Sequence, residues 1–195
     1  MSSKKFSALS LLLTSTPAVA HTGTGLAGGF ASGFAHPLTG PDHLLAMVSV
    51  GLWGAFLGRP LIYALPVIFP GVMVLGAALG MFAVLLPTVE IGVALSVLVL
   101  GFCIALSLRA PVWLACAIVA VFGIFHGYAH GRELPSAADP AGYSVGFVLA
   151  TGMLHLAGIG IGLLNDIPRG VLVTRGLGGA IGLAGGWFLY QAVVS

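Results

Sequence analysis

The stretch HPLTGPDH, from His36 to His43, places two imidazoles and a carboxylate in an otherwise apolar part of the chain. Its two prolines and its glycine predict that no regular helix runs through its first half. Pro41 suits the first position of a new helix, which would carry Asp42 and His43 in its first turn. An acidic side chain there is also favoured by the helix dipole. The stretch therefore predicts a helix start with a polar cluster at its mouth.

The composition around this stretch indicates a membrane protein. Of 195 residues, 58% are hydrophobic and only 6% are charged, and the mean hydropathy is +1.12. Soluble domains carry about 25% charged residues, so we predict an all-α, polytopic helix bundle in a lipid bilayer. The net charge of +2 and the lack of a basic run exclude nucleic acid as an expected partner. Cys103 and Cys116 lie in apolar runs without a CxxC motif, which predicts small buried side chains.

The first 20 residues have the pattern of a cleavable signal peptide. Lys4 and Lys5 precede a short apolar core, and a small-x-small site ends at Ala20. The core is too short to span a bilayer, which favours a secretory signal peptide over the alternative of an uncleaved anchor. Cleavage there would leave residues 21–195 as one transmembrane domain and make His21 its first residue. A terminal amine beside an imidazole can chelate a metal; the alternative is a disordered polar tail.

Six apolar stretches are each long enough to cross a membrane. Arginines fall in alternate loops: four share one side, and only Arg132 lies on the other. The positive-inside rule places the four in the cytoplasm, so both mature termini are predicted to be periplasmic. Residues 26–34, rich in Gly, Ala and Ser, suit a short re-entrant segment or a close-packed helix end. The predicted spans are Pro41–Gly58, Leu61–Leu86, Thr88–Leu108, Pro111–His130, Gly142–Leu164 and Gly176–Val194.

A second polar cluster, FHGYAHGRE, runs from Phe125 to Glu133. On a helix, His126, His130 and Glu133 share one face, and the topology puts them at the same membrane depth as the first cluster. Imidazole with carboxylate suits Ni²⁺, Zn²⁺, Cu²⁺ or Fe²⁺. His126 has an alternative role, which is to orient His130 rather than bind the ion. The predicted metal ligands are His36, Asp42, His43, His126, His130 and Glu133.

Two further ionisable residues fall within predicted spans. Glu90 opens the third span and is predicted to belong to the metal path, with a helix-capping role as the alternative. His155, near the middle of the fifth span, is either a deeper relay site or a hydrogen-bonded packing residue. The second span is interrupted by prolines, as is common beside transport sites. Phe69 and Met73, next to these interruptions, are expected to face lipid, and the alternative is that they line the metal route.

The two histidine patterns, H-x5-DH from His36 to His43 and FHG-x-AHG-x-E from Phe125 to Glu133, resemble the signature motifs of the HupE/UreJ family. The resemblance covers nearly the whole mature chain, including its length, signal peptide and helix count. That family comprises small secondary transporters for nickel, found with hydrogenase or urease systems. The resemblance therefore implies Ni²⁺ as the cargo, a choice that the spacing of the ligands leaves open among Ni²⁺, Zn²⁺, Co²⁺ and Cu²⁺.

The leading hypothesis is a nickel permease of the bacterial cytoplasmic membrane that is not an enzyme and has no permanently bound cofactor. The chain has no Walker A motif, so we expect no ATP hydrolysis, and no ATPase subunit is evident. An intramembrane zinc hydrolase is the alternative, with Glu133 or Glu90 as general base. A protein that only senses or buffers metal is a third. The sequence leaves three points open: whether the chain forms a homo-oligomer, what drives transport, and whether hydrogenase or urease is served.

Overall fold

A computed structural model describes residues 26–133 and 139–194, with side chains from 28 to 132 and from 139 to 194. The predicted signal peptide and His21 lie outside these residues. The described part is all-α, as predicted, and contains seven α-helices and one 3-10 turn. The α-helices are α1 (Leu26–Thr39), α2 (Pro41–Leu57), α3 (Leu61–Met81), α4 (Val89–Ala105), α5 (Val112–Glu133), α6 (Pro140–Gly162) and α7 (Gly170–Val194).

Four of these helices, α3, α5, α6 and α7, are long and apolar enough to cross a membrane. The shorter α2 and α4 are also apolar and have 17 residues each. At 1.5 Å per residue each measures about 25 Å, near the lower limit for a span. The described helices therefore define a multi-pass membrane protein.

The first two helices run in the same direction along α6, one after the other. Gly33 of α1 packs on Tyr143, in the first half of α6, and Gly51 of α2 packs on His155, in its second half. The helical pattern is interrupted only at Gly40, whose backbone is extended at φ −86° and ψ 105°. Together α1 and α2 form one interrupted helix, whose break carries the histidine-rich stretch.

The expectation that no helix runs through Pro37 is wrong, because α1 continues past it to Thr39. A proline inside a helix costs about 3 kcal/mol through a lost hydrogen bond and a steric clash. Close packing of α1 on α6 offsets this cost, as a Cβ added at Gly33 or at Gly146 would collide with the facing backbone. Residues 26–34 are therefore part of a regular helix and not a re-entrant segment.

Small residues bring the other helices together. A Cβ added at Gly127 of α5 would collide with the backbone at Met73 of α3, and one at Gly185 of α7 would collide with Leu98 of α4. Interfaces without side chains allow the close backbone approach that stabilises helix pairs in lipid. Near the middle of the bundle, α2 packs against α3, α4 and α6 and carries fully buried residues, among them Trp53.

Several predicted helix boundaries are wrong by a turn or more. The second predicted span was to continue to Leu86, but α3 ends at Met81, where Ala83 adopts φ +52° and the amide of Val84 bonds to the carbonyl of Leu79. This pairing closes the helix in a Schellman-type turn. The last helix begins at Gly170, six residues earlier than predicted, so Arg175 lies within α7 and donates from Nε to the carbonyl of Ala105 at 2.9 Å.

Candidate metal centre

Three histidines from three helices meet beside the break between α1 and α2. His36 lies in the last turn of α1, His43 in the first turn of α2 and His130 in the last turn of α5. One ring nitrogen of each lies within 4.8 Å of those of the other two. Nitrogens bound to one ion at about 2.1 Å lie about 3.0–3.4 Å apart, so modest side-chain movement would close this histidine trio on a cation.

The trio lies one to two helical turns inside the bundle, with His130 buried and His36 and His43 partly buried. His130 is 4% exposed, and its ring centroid is 4.2 Å from that of Phe147 and 4.8 Å from that of His36. Phe147 is the eighth residue of α6, so it lies about 10 Å from the start of that helix. The trio is therefore deeper than the helix mouth at which the sequence analysis placed the first cluster.

Asp42 holds His43 in one orientation. Oδ1 of Asp42 lies 2.9 Å from Nδ1 of His43 and also accepts from the backbone amide of His43 at 2.8 Å. An ionised carboxylate only accepts, so Nδ1 of His43 is the donor and Nε2 keeps its lone pair. Nε2 is buried without a hydrogen-bond partner among the described residues. Carboxylate–histidine pairs of this kind fix the tautomer of a metal ligand.

Ser96 fixes the tautomer of His126 in a similar way. The Ser96 hydroxyl donates to the carbonyl of Val93 at 2.6 Å and lies 2.9 Å from Nε2 of His126. A hydroxyl has one proton to give, so Nε2 of His126 is the donor and Nδ1 keeps the lone pair. The His126 ring is fully buried, and its centroid lies 4.8 Å from that of His43. His126 thus lies next to the trio but outside its cluster of close ligand atoms.

A cavity of about 480 Å³ extends from the segment before α4 to Asp42 and His43. It is lined by residues of α2, α4, α5 and the segment before α4. Glu90 contributes an exposed carboxylate to its wall and Arg132 an exposed guanidinium. Glu90 therefore lies beside the approach to the trio. We refer to this cavity as the vestibule.

His155 lies deeper in the bundle and is 1% exposed. It is the eighth residue along α6 from Phe147, about 12 Å further into the bundle. Its ring centroid is 5.6 Å from that of Phe69, which is itself 5.2 Å from His126. Phe69 is fully buried and Met73 is 5% exposed. The expectation that Phe69 and Met73 face lipid is therefore wrong, because this face of α3 packs into the bundle.

The structure leaves two of the predicted ligands without a described side chain. The backbone of Glu133 ends α5, one turn beyond His130, but its side chain lies outside the described residues, as does all of His21. Both stay predictions. Ser96, Tyr143 and Phe147 are not among the residues that the sequence pattern predicts for the site. Serine and aromatic residues in apolar spans carry no distinctive pattern, and only the packing of α4 and α6 brings these three to the histidines.

The fold and site define a class of protein: a multi-pass helical membrane protein with a partly buried histidine and carboxylate centre at the break of an interrupted helix. The family described as "HupE / UreJ protein" matches residues 9–188. The chain belongs to the HupE/UreJ family, as its two histidine motifs predict.

A curated relative supports the same assignment. The chain is 42% identical over 170 residues to "Protein HupE" of Rhizobium leguminosarum bv. viciae, and the match covers 87% of the chain and 89% of the relative. No solved structure shows significant similarity to the chain.

Proposed function

We propose that this chain is a permease that imports Ni²⁺ across the bacterial cytoplasmic membrane to supply a nickel enzyme, hydrogenase or urease. The observation that carries the proposal is the histidine trio, one member of which, His43, lines the vestibule and is oriented by Asp42. Nitrogen ligands of this type suit Ni²⁺ and related divalent ions. The chain belongs to the HupE/UreJ family. The transport of nickel that this family implies supports Ni²⁺ as the cargo.

The charges around the site support capture of a dication. Asp42 contributes a carboxylate beside the trio, and Glu90 a second one in the vestibule. The C-terminal ends of α1 and α5, which carry partial negative charge, lie at His36 and His130. A hydrated ion would be attracted by Glu90 and would exchange water for imidazole nitrogens in the trio. Glu133, directly beyond His130, is proposed as a further ligand.

The proposed orientation has the vestibule and both mature termini on the periplasmic side. Contacts of α1 with α6 and of α4 with α7 put the first and last described residues at the vestibule end. Arg59, Arg109 and Arg169 lie at the opposite end, consistent with a cytoplasmic face. Six crossings result when α1 and α2 count as one interrupted span. A dication moving inward gains about 2.3 kcal/mol per charge for each 100 mV, which would drive uptake without a coupling ion.

The test is ⁶³Ni²⁺ uptake by cells that express the chain, normalised to its abundance in the membrane. We expect His130→Ala to lower uptake at least tenfold, because it removes one of three nitrogen ligands. Asp166→Asn, at the opposite end of the bundle, is the control and should leave uptake within twofold of wild type. Undiminished uptake by His130→Ala would reject the trio as the site. A hydrolase would not accumulate nickel, so wild-type accumulation also separates the permease from the enzyme alternative.

A further inference from the structure

The second half of α6 buries a set of polar atoms that lie outside the capture site, the name used here for the histidine trio with Asp42. Thr151 and His155 lie one turn apart on the same face of α6 and are 0% and 1% exposed. Within the described residues, the Thr151 hydroxyl and both ring nitrogens of His155 make no hydrogen bond of normal geometry. Buried polar side chains without partners are rare in native proteins, because each costs the free energy of its desolvation.

A backbone carbonyl of α3 adds an oxygen to this set. His155 faces the carbonyl of Pro66, without a hydrogen bond of normal geometry between them. In an α-helix that carbonyl would accept from the amide four residues later, which is Pro70, and proline has no N–H. The carbonyl oxygen of Pro66 therefore lacks its helical donor and is available to another partner. The sequence predicts a break at these prolines, but α3 is continuous through both, and their effect is instead to leave this carbonyl oxygen without a helical donor near His155.

The set lies directly beyond the capture site. Phe69 contacts the imidazole of His126 on one helix and that of His155 on another. His126 in turn contacts His43 of the trio. The ring of Phe69 therefore lies between His126, which contacts the trio, and His155 of the deeper set of polar atoms. Close packing of Gly51 on the backbone at His155 brings α2 against α6 at the same level.

We propose that His155, Thr151 and the Pro66 carbonyl form an inner station that binds the dication transiently after it leaves the histidine trio. This inference rests on the transport function proposed above. One imidazole and two neutral oxygens make a weaker donor set than three imidazoles with a carboxylate. A weak inner station suits transport, because an ion must bind well enough to enter and weakly enough to leave.

The test compares uptake with equilibrium Ni²⁺ binding for the full-length protein. His155→Gln keeps a polar side chain but removes the imidazole, and Thr151→Val removes only the hydroxyl. We expect His155→Gln to lower ⁶³Ni²⁺ uptake at least tenfold and Thr151→Val about threefold. Both should keep the affinity of the capture site, measured by equilibrium dialysis of the purified protein, within twofold of wild type.

The matched control is Ser49→Ala. Ser49 is also fully buried, and its hydroxyl has no hydrogen-bond partner in the described part of the chain. It lies on α2 one turn from Ala46, which packs against Val97 and Ile181 of α4 and α7. Its uptake should equal that of wild type. Loss of uptake in this control equal to the loss in Thr151→Val would overturn the inner station.

The outcomes separate this inference from the function on which it rests. A wild-type chain that accumulates no nickel rejects the permease. A wild-type chain that transports, with His155→Gln transporting within twofold of it, overturns the inner station alone. If His155→Gln also weakens the capture site, Thr151→Val decides: undiminished uptake in that variant overturns the station, and lowered uptake with an intact capture site supports it.

Discussion

Oδ1 of Asp42 accepts from both the backbone amide and Nδ1 of His43, at 2.8 and 2.9 Å. The carboxylate therefore turns the other ring nitrogen, Nε2, away from itself and leaves it unprotonated. Asp42 also lies in the first turn of α2, where the helix dipole favours its negative charge. The stretch from His36 to His43 thus supplies two imidazoles of the trio and the group that orients one of them.

Asp42→Asn is predicted to weaken Ni²⁺ binding about 10–100-fold, the usual effect of removing the partner of a ligating histidine. The asparagine amide has nearly the same shape but carries no charge. The measurement is equilibrium dialysis of the purified protein in detergent. Asp166→Asn is the control, since Asp166 is exposed at the opposite end of the bundle. An affinity within twofold of wild type for Asp42→Asn would contradict the orienting role.

Ser96→Ala should lower the free energy of unfolding by about 1–3 kcal/mol, because it leaves the buried Nε2 of His126 without its acceptor. The ring of His126 contacts His43, so nickel affinity should also fall. Unfolding of the purified protein in detergent measures the first effect and equilibrium dialysis the second.

Ser144→Ala is the matched control for this change. Its exposed hydroxyl donates to the carbonyl of Pro140 at 2.8 Å, and its loss should alter the free energy of unfolding by no more than about 0.5 kcal/mol. Equal stability of Ser96→Ala and Ser144→Ala would show that the bond between Ser96 and His126 contributes nothing.

Much of this architecture could be predicted from periodicity and composition alone. Low charge and long apolar runs identify a helical membrane bundle. The G-x-x-x-G spacing of Gly123, Gly127 and Gly131 predicts that their helix packs closely on a neighbour, without identifying α3 as that neighbour. Local patterns fail where packing outweighs propensity. The helix through Pro37 exists because α1 buries glycine against α6, and no residue near Pro37 shows that contact.

The metal centre also has features that the sequence predicts and features that only the packing of helices supplies. The i,i+4 spacing of His126 and His130 puts both on one face of a helix, but their environments differ because other helices supply their neighbours. Ser96 engages His126, whereas His36 and Phe147 contact His130. The trio itself combines two residues six apart, from either side of a helix break, with one from a distant helix. The sequence predicts its members but not which of the six predicted ligands lie closest.

The charges of the vestibule should control the rate of ion capture. Glu90→Gln is predicted to lower initial Ni²⁺ uptake about two- to fivefold at low ionic strength, because a dication loses electrostatic attraction. Arg132→Gln, in the same cavity, should raise it. At high salt the initial uptake rates of wild type and the two variants should become equal, since about 1 M salt screens charges beyond about 3 Å. Initial rates at nickel concentrations well below saturation measure the effect, and a rise in Glu90→Gln would contradict it.

The glycines of the second histidine motif have a structural role, which a pair of alanine substitutions tests. A Cβ at Gly127 would collide with the backbone of Met73, whereas one at Gly152 of α6 meets no atom within 4 Å. Gly127→Ala should therefore separate α5 from α3, lower the free energy of unfolding by more than about 2 kcal/mol and displace His126 and His130. Gly152→Ala should instead stabilise its helix by about 0.5–1 kcal/mol. Thermal unfolding in detergent, with nickel affinity measured in parallel, compares the two variants. Equal stability of the two variants would show that α5 and α3 can accommodate a methyl group at this interface. Gly127 would then need an explanation other than close packing.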